Sequence, residues 1–293
     1  MNDTPSPWIG RAIAASKHLL VFAGLIVLWE VLAAIGFIDT ILLPRPGDIA
    51  AGLWELYVQT GVIYRHFLVT AYEAAGGFLI GGSLGLLLAV GSALNDSFRR
   101  YVSPYAILLN VTPGLALTPI VIAWFGFGYG SKIALGAIVS FFPVFVNALV
   151  GLTRVDDATM EMFRSMGASR WQRFRMLQVP VALPMIFAGF KIAITTALVG
   201  AVVAEFSQGT AGIGVLMQRL AFSLDMAAAI AALLSMSLLG VILFYLIEFL
   251  DDRIVYWRRE TRMAAVSRKR KAAWHARSTT RSDAPNATRR KTT

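Results

Sequence analysis

Six apolar runs of about 20 residues constrain this chain more than any other feature, at approximately 18–38, 67–94, 104–125, 132–152, 184–206 and 227–250. A helix needs roughly 20 apolar residues to cross the ~30 Å hydrocarbon core of a bilayer. Within lipid, only helices and closed barrels satisfy every backbone hydrogen bond, and these runs are continuous rather than alternating, which disfavours a barrel. With 57% hydrophobic and 15% charged residues, the chain has more apolar surface than a soluble domain needs. The first run, HLLVFAGLIVLWEVLAAIGFI, lacks a small-residue cleavage site and reads as an uncleaved span. The fold expected is an all-α integral membrane protein with six transmembrane helices over 18–250. An N-terminal arm, 1–17, precedes them and a basic tail, 251–293, follows.

Lysine and arginine positions orient the spans. With the N-terminus inside, the inner segments hold Arg11 and Lys17, then Arg99 and Arg100, then Arg154, Arg164, Arg170, Arg173 and Arg175, then thirteen basic residues from Arg253 onward. The outer segments hold only Arg45, Arg65, Lys132 and Arg219. The split predicts that both termini and the polar segment following span four are cytoplasmic. Membrane topology therefore accounts for the net charge of +10 better than nucleic-acid binding does. The tail is nearly devoid of core-forming residues and reads as disordered, and its RKRK cluster at 268–271 suits anionic membrane lipids.

Several chemistries are excluded or disfavoured. The chain has no cysteine, and its three histidines, His18, His66 and His275, lack ligand spacing and read as interfacial or tail residues. WFGFGYGS at 124–131 is a Gly-rich reversal between spans three and four, but its spacing is wrong for a phosphate loop. HExxH is absent and the residues offer no convincing catalytic dyad, so an intramembrane enzyme has no support. On the outer side, the Pro-flanked stretch within 39–66 predicts a turn followed by a short amphipathic helix at the interface.

Within the spans, Gly77, Gly81 and Gly85 recur every fourth residue and give one helix a smooth face for close approach. Pro113, Pro119 and Pro143 remove backbone hydrogen bonds in spans three and four and mark these spans as pathway-adjacent. Glu30, Glu73, Lys191, Glu205 and Glu248 lie in or near spans, where most are expected to snorkel from span ends. Glu205 is the acid preferred for the pathway, and Asn110, Pro113 and Asn147 complete the candidates for lining it.

The polar segment from Arg154 to Pro184 carries five arginines with Asp156, Asp157 and Glu161. It reads as helix–turn–helix: the aspartates suit a helix start, Gly167 interrupts the pattern, and SRWQRFRML forms a basic amphipathic stretch. Trp171, Phe174 and Leu177, three apart, make its apolar face. Pattern alone leaves open a basic helix lying on the inner leaflet.

The spacing of Glu161, Gly167, Pro180 and Pro184 resembles the EAA loop of ABC-transporter permeases, with Met162 and Phe163 in place of Ala-Ala and Val179 in place of leucine. LPRPGDI, TPGLALTPIVIAWFGFGYGSK, FFPVFVNALVGL and AEFSQGTAGIGVLM occur in matching order, so residues from about Leu43 to Leu250 resemble permeases of the nitrate/sulfonate/taurine importer type. The resemblance implies a type I importer permease in which 154–183 form cytoplasmic coupling helices docked on a separate ATPase. Glu161 would be the polar anchor, Gly167 the turn with Ala168 following it, Trp171 and Phe174 the grip, and Pro180 and Pro184 the entry to the next span. It further implies two permeases, as a homodimer, two ATPase subunits using ATP and Mg²⁺, and an extracytoplasmic solute-binding protein, in a bacterial inner membrane. The permease itself would bind no cofactor and hydrolyse nothing. The rival reading is a secondary transporter or channel. The absence of a detectable internal repeat argues against it.

Overall fold

A computed structural model of the chain describes residues 7–257, and among these every regular element is helical. In chain order the helices are α1 (Pro7–Ala34), α2 (Pro46–Trp54), α3 (Val62–Leu94), α4 (Asp96–Val111), α5 (Gly114–Phe125), α6 (Tyr129–Thr153), α7 (Asp157–Ser165), α8 (Arg170–Arg173), α9 (Val179–Gln208), α10 (Ile213–Phe222) and α11 (Met226–Ile254). Among the described residues, α3, α6, α11 and the continuous helix Arg170–Ser207 are long and apolar enough to cross a bilayer. The expected first span corresponds to α1, whose apolar part, Leu20–Ala34, is shorter than those four. The expected third span is not one helix: α4 and α5 meet at 102°. Thr112 and Pro113 at the bend are extended, because proline keeps the preceding residue out of the helical region and contributes no N–H of its own. The expected outer helix is α2. It packs on α11, with Gly52 against the Ala228 backbone.

The core of the bundle is α3, α6 and α9, brought together at backbone distance by small residues. A Cβ on Gly77 would lie 2.9 Å from Gly136 Cα, and one on Gly85 would lie 2.6 Å from the Phe141 carbonyl oxygen. At Gly81 it would collide with the Ala137 carbonyl and the Ser140 hydroxyl. On the other side of α6, Gly200 faces Gly136 and Gly189 faces the Pro143 carbonyl. The glycine stripe of α3 is thus the surface on which α6 rests, and Ser140 Oγ donates across it to Gly77 O at 3.3 Å.

A buried polar lattice closes the end of this core that bears α10. Lys132 Nζ lies 2.9 Å from Glu73 Oε1 and donates to Ala211 O at 3.3 Å. Thr70 Oγ1 donates to Glu205 Oε1 at 2.6 Å and accepts from Ile213 N at 2.8 Å. Glu205 Oε2 accepts from Gly214 N at 2.6 Å, and Gly212 N donates to His66 Nδ1 at 3.0 Å. Three backbone N–H groups at the start of α10 thereby find acceptors on α3 and α9, which satisfies donors a helix N-terminus leaves open. Gly212 is at φ +125°, a conformation open to glycine, and any side chain there would strike the Glu205 carboxylate.

This lattice corrects the expectation that most intramembrane charges snorkel: Glu73 and Glu205 are fully buried, while Glu248 keeps a partly exposed side chain. Lys132, assigned to an outer loop, is buried within α6, and His66, expected at an interface, is buried too. Lys191 bonds Asp251 at 2.7 Å and Glu248 at 3.5 Å, joining α9 to α11. Helix α11 accordingly runs to Ile254, past the expected boundary at 250. The disordered tail expected from 251 lies, from residue 258, outside the described residues.

Two stability outcomes follow from these contacts. Lys132→Met leaves Glu73 a buried unpaired acid and should cost about 3–5 kcal/mol, read as a lowered Tm of the detergent-purified protein. Lys132→Met with Glu73→Gln should recover most of the loss. Gly81→Leu should abolish the monodisperse species in size-exclusion chromatography, because the obstruction is backbone and cannot repack at the usual ~1–3 kcal/mol. Gly24→Ala, which meets nothing within 4 Å, should behave as wild type.

Candidate functional site: the α7–α8 loop and the helix-break cavity

Helix α7 is set by local chemistry at both ends. Asp156 caps its start, its carboxylate accepting from the Thr159 N–H and hydroxyl, each at 2.9 Å. These bonds to the charged form hold the Asp156 carboxyl below the usual carboxylate range. Asp157 in the first turn and Arg164 in the last complement the helix dipole. At the other end Gly167, at φ +77°, donates to Arg164 O at 2.9 Å while Ala168 N donates to Phe163 O at 3.0 Å. That is a Schellman closure, and it needs a residue free to adopt the left-handed region. Two residues later a capping box starts α8: Ser169 Oγ accepts from Gln172 N and Gln172 Oε1 accepts from Ser169 N.

The second half of the loop differs from expectation. Instead of a separate short helix, residues from Arg170 run unbroken into the span as a 38-residue helix ending at Ser207. A π turn at Phe174–Gln178 precedes Pro180, whose ring would clash with the carbonyl four residues back in a regular α-helix. Pro184 lies inside α9. The expected aromatic face is also divided. Trp171 is 63% exposed and stacks on Phe174 at 5.6 Å, yet Phe174 is 7% exposed and packs with Phe141, Phe145, Leu152 and Ile186. Leu177 is likewise buried. Helix α7 buries no residue, and Glu161, Met162 and Met166 are exposed on it, with Ala168 half-buried just beyond. The exposed side chains of this loop thus include Glu161, Met162, Met166 and Trp171, while Phe174 belongs to the bundle.

The bend between α4 and α5 opens a cavity of about 370 Å³ against α6 and α9. Asn110, Thr112 and Pro113 line it at the bend, with Phe142 of α6 and Thr196 and Gly200 of α9 opposite, and no lining residue is charged. Two of the four pathway candidates, Asn110 and Pro113, lie here. Asn147 does not: its Nδ2 donates to Pro143 O at 2.8 Å and its β-carbon faces Gly189. Glu205 does not either, being fully buried in the lattice that holds α10. Thr112 and Thr196 were not foreseen. Each hydroxyl bonds a carbonyl of its own helix, and each sits in an apolar run with nothing to distinguish it.

Comparison with known proteins agrees with this architecture. Residues 81–256 match the family described as binding-protein-dependent transport system inner membrane component. The putative aliphatic sulfonates transport permease protein SsuC of Bacillus subtilis is 32% identical over 243 residues, covering 83% of this chain and 87% of the relative. The formylaminopyrimidine transport permease protein ThiX of Halalkalibacterium halodurans is also 32% identical, over 85% of this chain and 99% of its own. In fold, the chain is similar to one from the inward-facing MetNI methionine ABC transporter, with a TM-score of 0.52 and 23% identity over 69% of this chain and 96% of that one. A family match over most of the bundle and two relatives aligned over more than four-fifths of this chain lead to one assignment. The chain belongs to the binding-protein-dependent transport system inner membrane components, the multi-pass permeases of ABC importers.

Proposed function

We propose that this chain forms the translocation pathway for a small anion such as a sulfonate, taurine, nitrate or related organic acid, and that α7 is the handle by which a separate ATPase moves it. The observation that carries this reading is the continuity of Arg170–Ser207. A rigid turn joins the exposed α7 to a single helix about 57 Å long by helical rise. That helix carries Thr196 and Gly200 at the cavity and Glu205 at the lattice. A tilt applied at its α7 end changes the cavity and the seat of α10 together. Chemical work by the ATPase at one end is thereby converted into access at the other.

The complex proposed is two copies of this chain as a homodimer, two ATPase subunits that hold ATP and Mg²⁺, and an extracytoplasmic solute-binding protein. Both termini and α7 face the cytoplasm, and α10 faces the opposite side. Support for the orientation comes from Arg99, Arg100 and the five arginines of the α6–α9 connection, which gather at one end of the bundle. Support for a sulfonate comes from the SsuC relative. Glu161 anchors the ATPase through its carboxylate, and Met162, Met166 and Trp171 fill its groove, adaptable apolar side chains around one charge.

Gly167→Pro and Glu161→Arg should each abolish ATP-dependent taurine or alkanesulfonate uptake, while the protein still inserts in the membrane. Wild-type uptake by both variants would refute the handle. Trp171→Ala and Phe174→Ala should separate cleanly: the first releases the ATPase on co-purification without lowering Tm. The second costs about 3–5 kcal/mol of bundle stability. Uptake that persists when the ATPase subunit is absent would favour a secondary transporter instead.

A further inference from the structure

Beside α7 lies a cleft of about 530 Å³ between the end of α3, the start of α4 and the α7–α8 turn. Arg164, Arg170 and Arg173 line it, and its one acidic side chain, Asp96, is bridged to Arg99 at 2.9 Å. Among the described residues, none of the three guanidiniums has a carboxylate of this chain within ion-pair distance. Three like charges around one cleft repel one another, and an anion seated among them removes that repulsion. The planar fork of arginine suits phosphate oxygens in particular, because two N–H groups meet two oxygens at once.

Beside Asp96, the cleft's other side carries apolar side chains. Ala93 and Leu94 close α3 there, and α4 begins two residues beyond Leu94 with Phe98, Tyr101 and Tyr105 exposed. Exposed aromatic side chains of this kind settle at the headgroup level of a bilayer. Arg170 and Arg173 belong to the first turn of the helix that becomes span α9, so the cleft sits where two spans leave the hydrocarbon. Its ligand must therefore present an anion above and hydrocarbon below. We propose that the cleft binds the phosphodiester of an anionic phospholipid, with its acyl chains running down past Leu94. This site is separate from the Glu161, Met162, Met166 and Trp171 surface, and it depends on membrane embedding rather than on the ATPase reading.

The test is native mass spectrometry of the full-length chain, released from detergent micelles containing equimolar phosphatidylglycerol and phosphatidylcholine. Wild type should retain phosphatidylglycerol preferentially. Arg170→Gln with Arg173→Gln should lose that preference on the order of fivefold per arginine, with the basic tail common to both proteins. Arg170→Lys with Arg173→Lys should fall between, since charge remains but the fork is lost. A monodisperse chromatographic peak for each variant separates this loss from misfolding. An unchanged lipid preference in the glutamine variant would overturn the proposal. So would complete displacement of the lipid by equimolar inorganic phosphate, which would assign the cleft to a free anion. Loss of the ATPase subunit with lipid retention intact would give the arginines to the protein partner and overturn it equally.

Discussion

Glu73, Lys132 and Glu205 place two acids and one base inside a bundle whose core is built mainly from apolar side chains. Such groups persist in a low-dielectric interior only when each finds a partner, and here the partners come from three helices and a loop. The Lys132–Glu73 pair fixes α6 against α3, and Glu205 fixes α9 against Thr70 and the backbone of α10. None of these bonds forms unless the helices approach closely, and the glycine stripe permits that approach. Close backbone packing and polar pairing are thus one requirement seen twice. Relax either, and the other loses its geometry.

Much of the helical framework was legible because lipid leaves so few choices. Runs long enough to span became α3, α6, α9 and α11, and the four-residue glycine spacing named the packing face correctly. The bend at Pro113 was half legible. Proline announced a break, but a local pattern carries no direction, and the 102° turn depends on what the two halves pack against. The polar lattice was out of reach because its partners are remote: 59 residues separate Lys132 from Glu73, and 135 separate Thr70 from Glu205. Read locally, Lys132 is a basic residue beside a glycine-rich turn, and nothing near it in sequence reveals that it is buried.

The α7–α8 loop shows a finer limit. Periodicity placed Trp171, Phe174 and Leu177 on one face, and two of them are indeed buried. A helical stripe says which residues share a side, not how far along the axis the neighbouring helices extend. The bundle ends between Phe174 and Trp171, so one stripe is core at one end and free surface at the other. The helix start at Asp156 and the break at Gly167 were easier, since such signals are decided by residues within three or four positions.

The cavity at the α4–α5 bend is walled by amides, hydroxyls and hydrocarbon, without a single formal charge. As the passage proposed above, it would hold no deep electrostatic well to trap an ion and no charge to reject a neutral solute of similar girth. Discrimination then rests with whatever delivers cargo to the entrance. A lineage could exchange its delivery protein and inherit a new diet while this chain stayed nearly as it was.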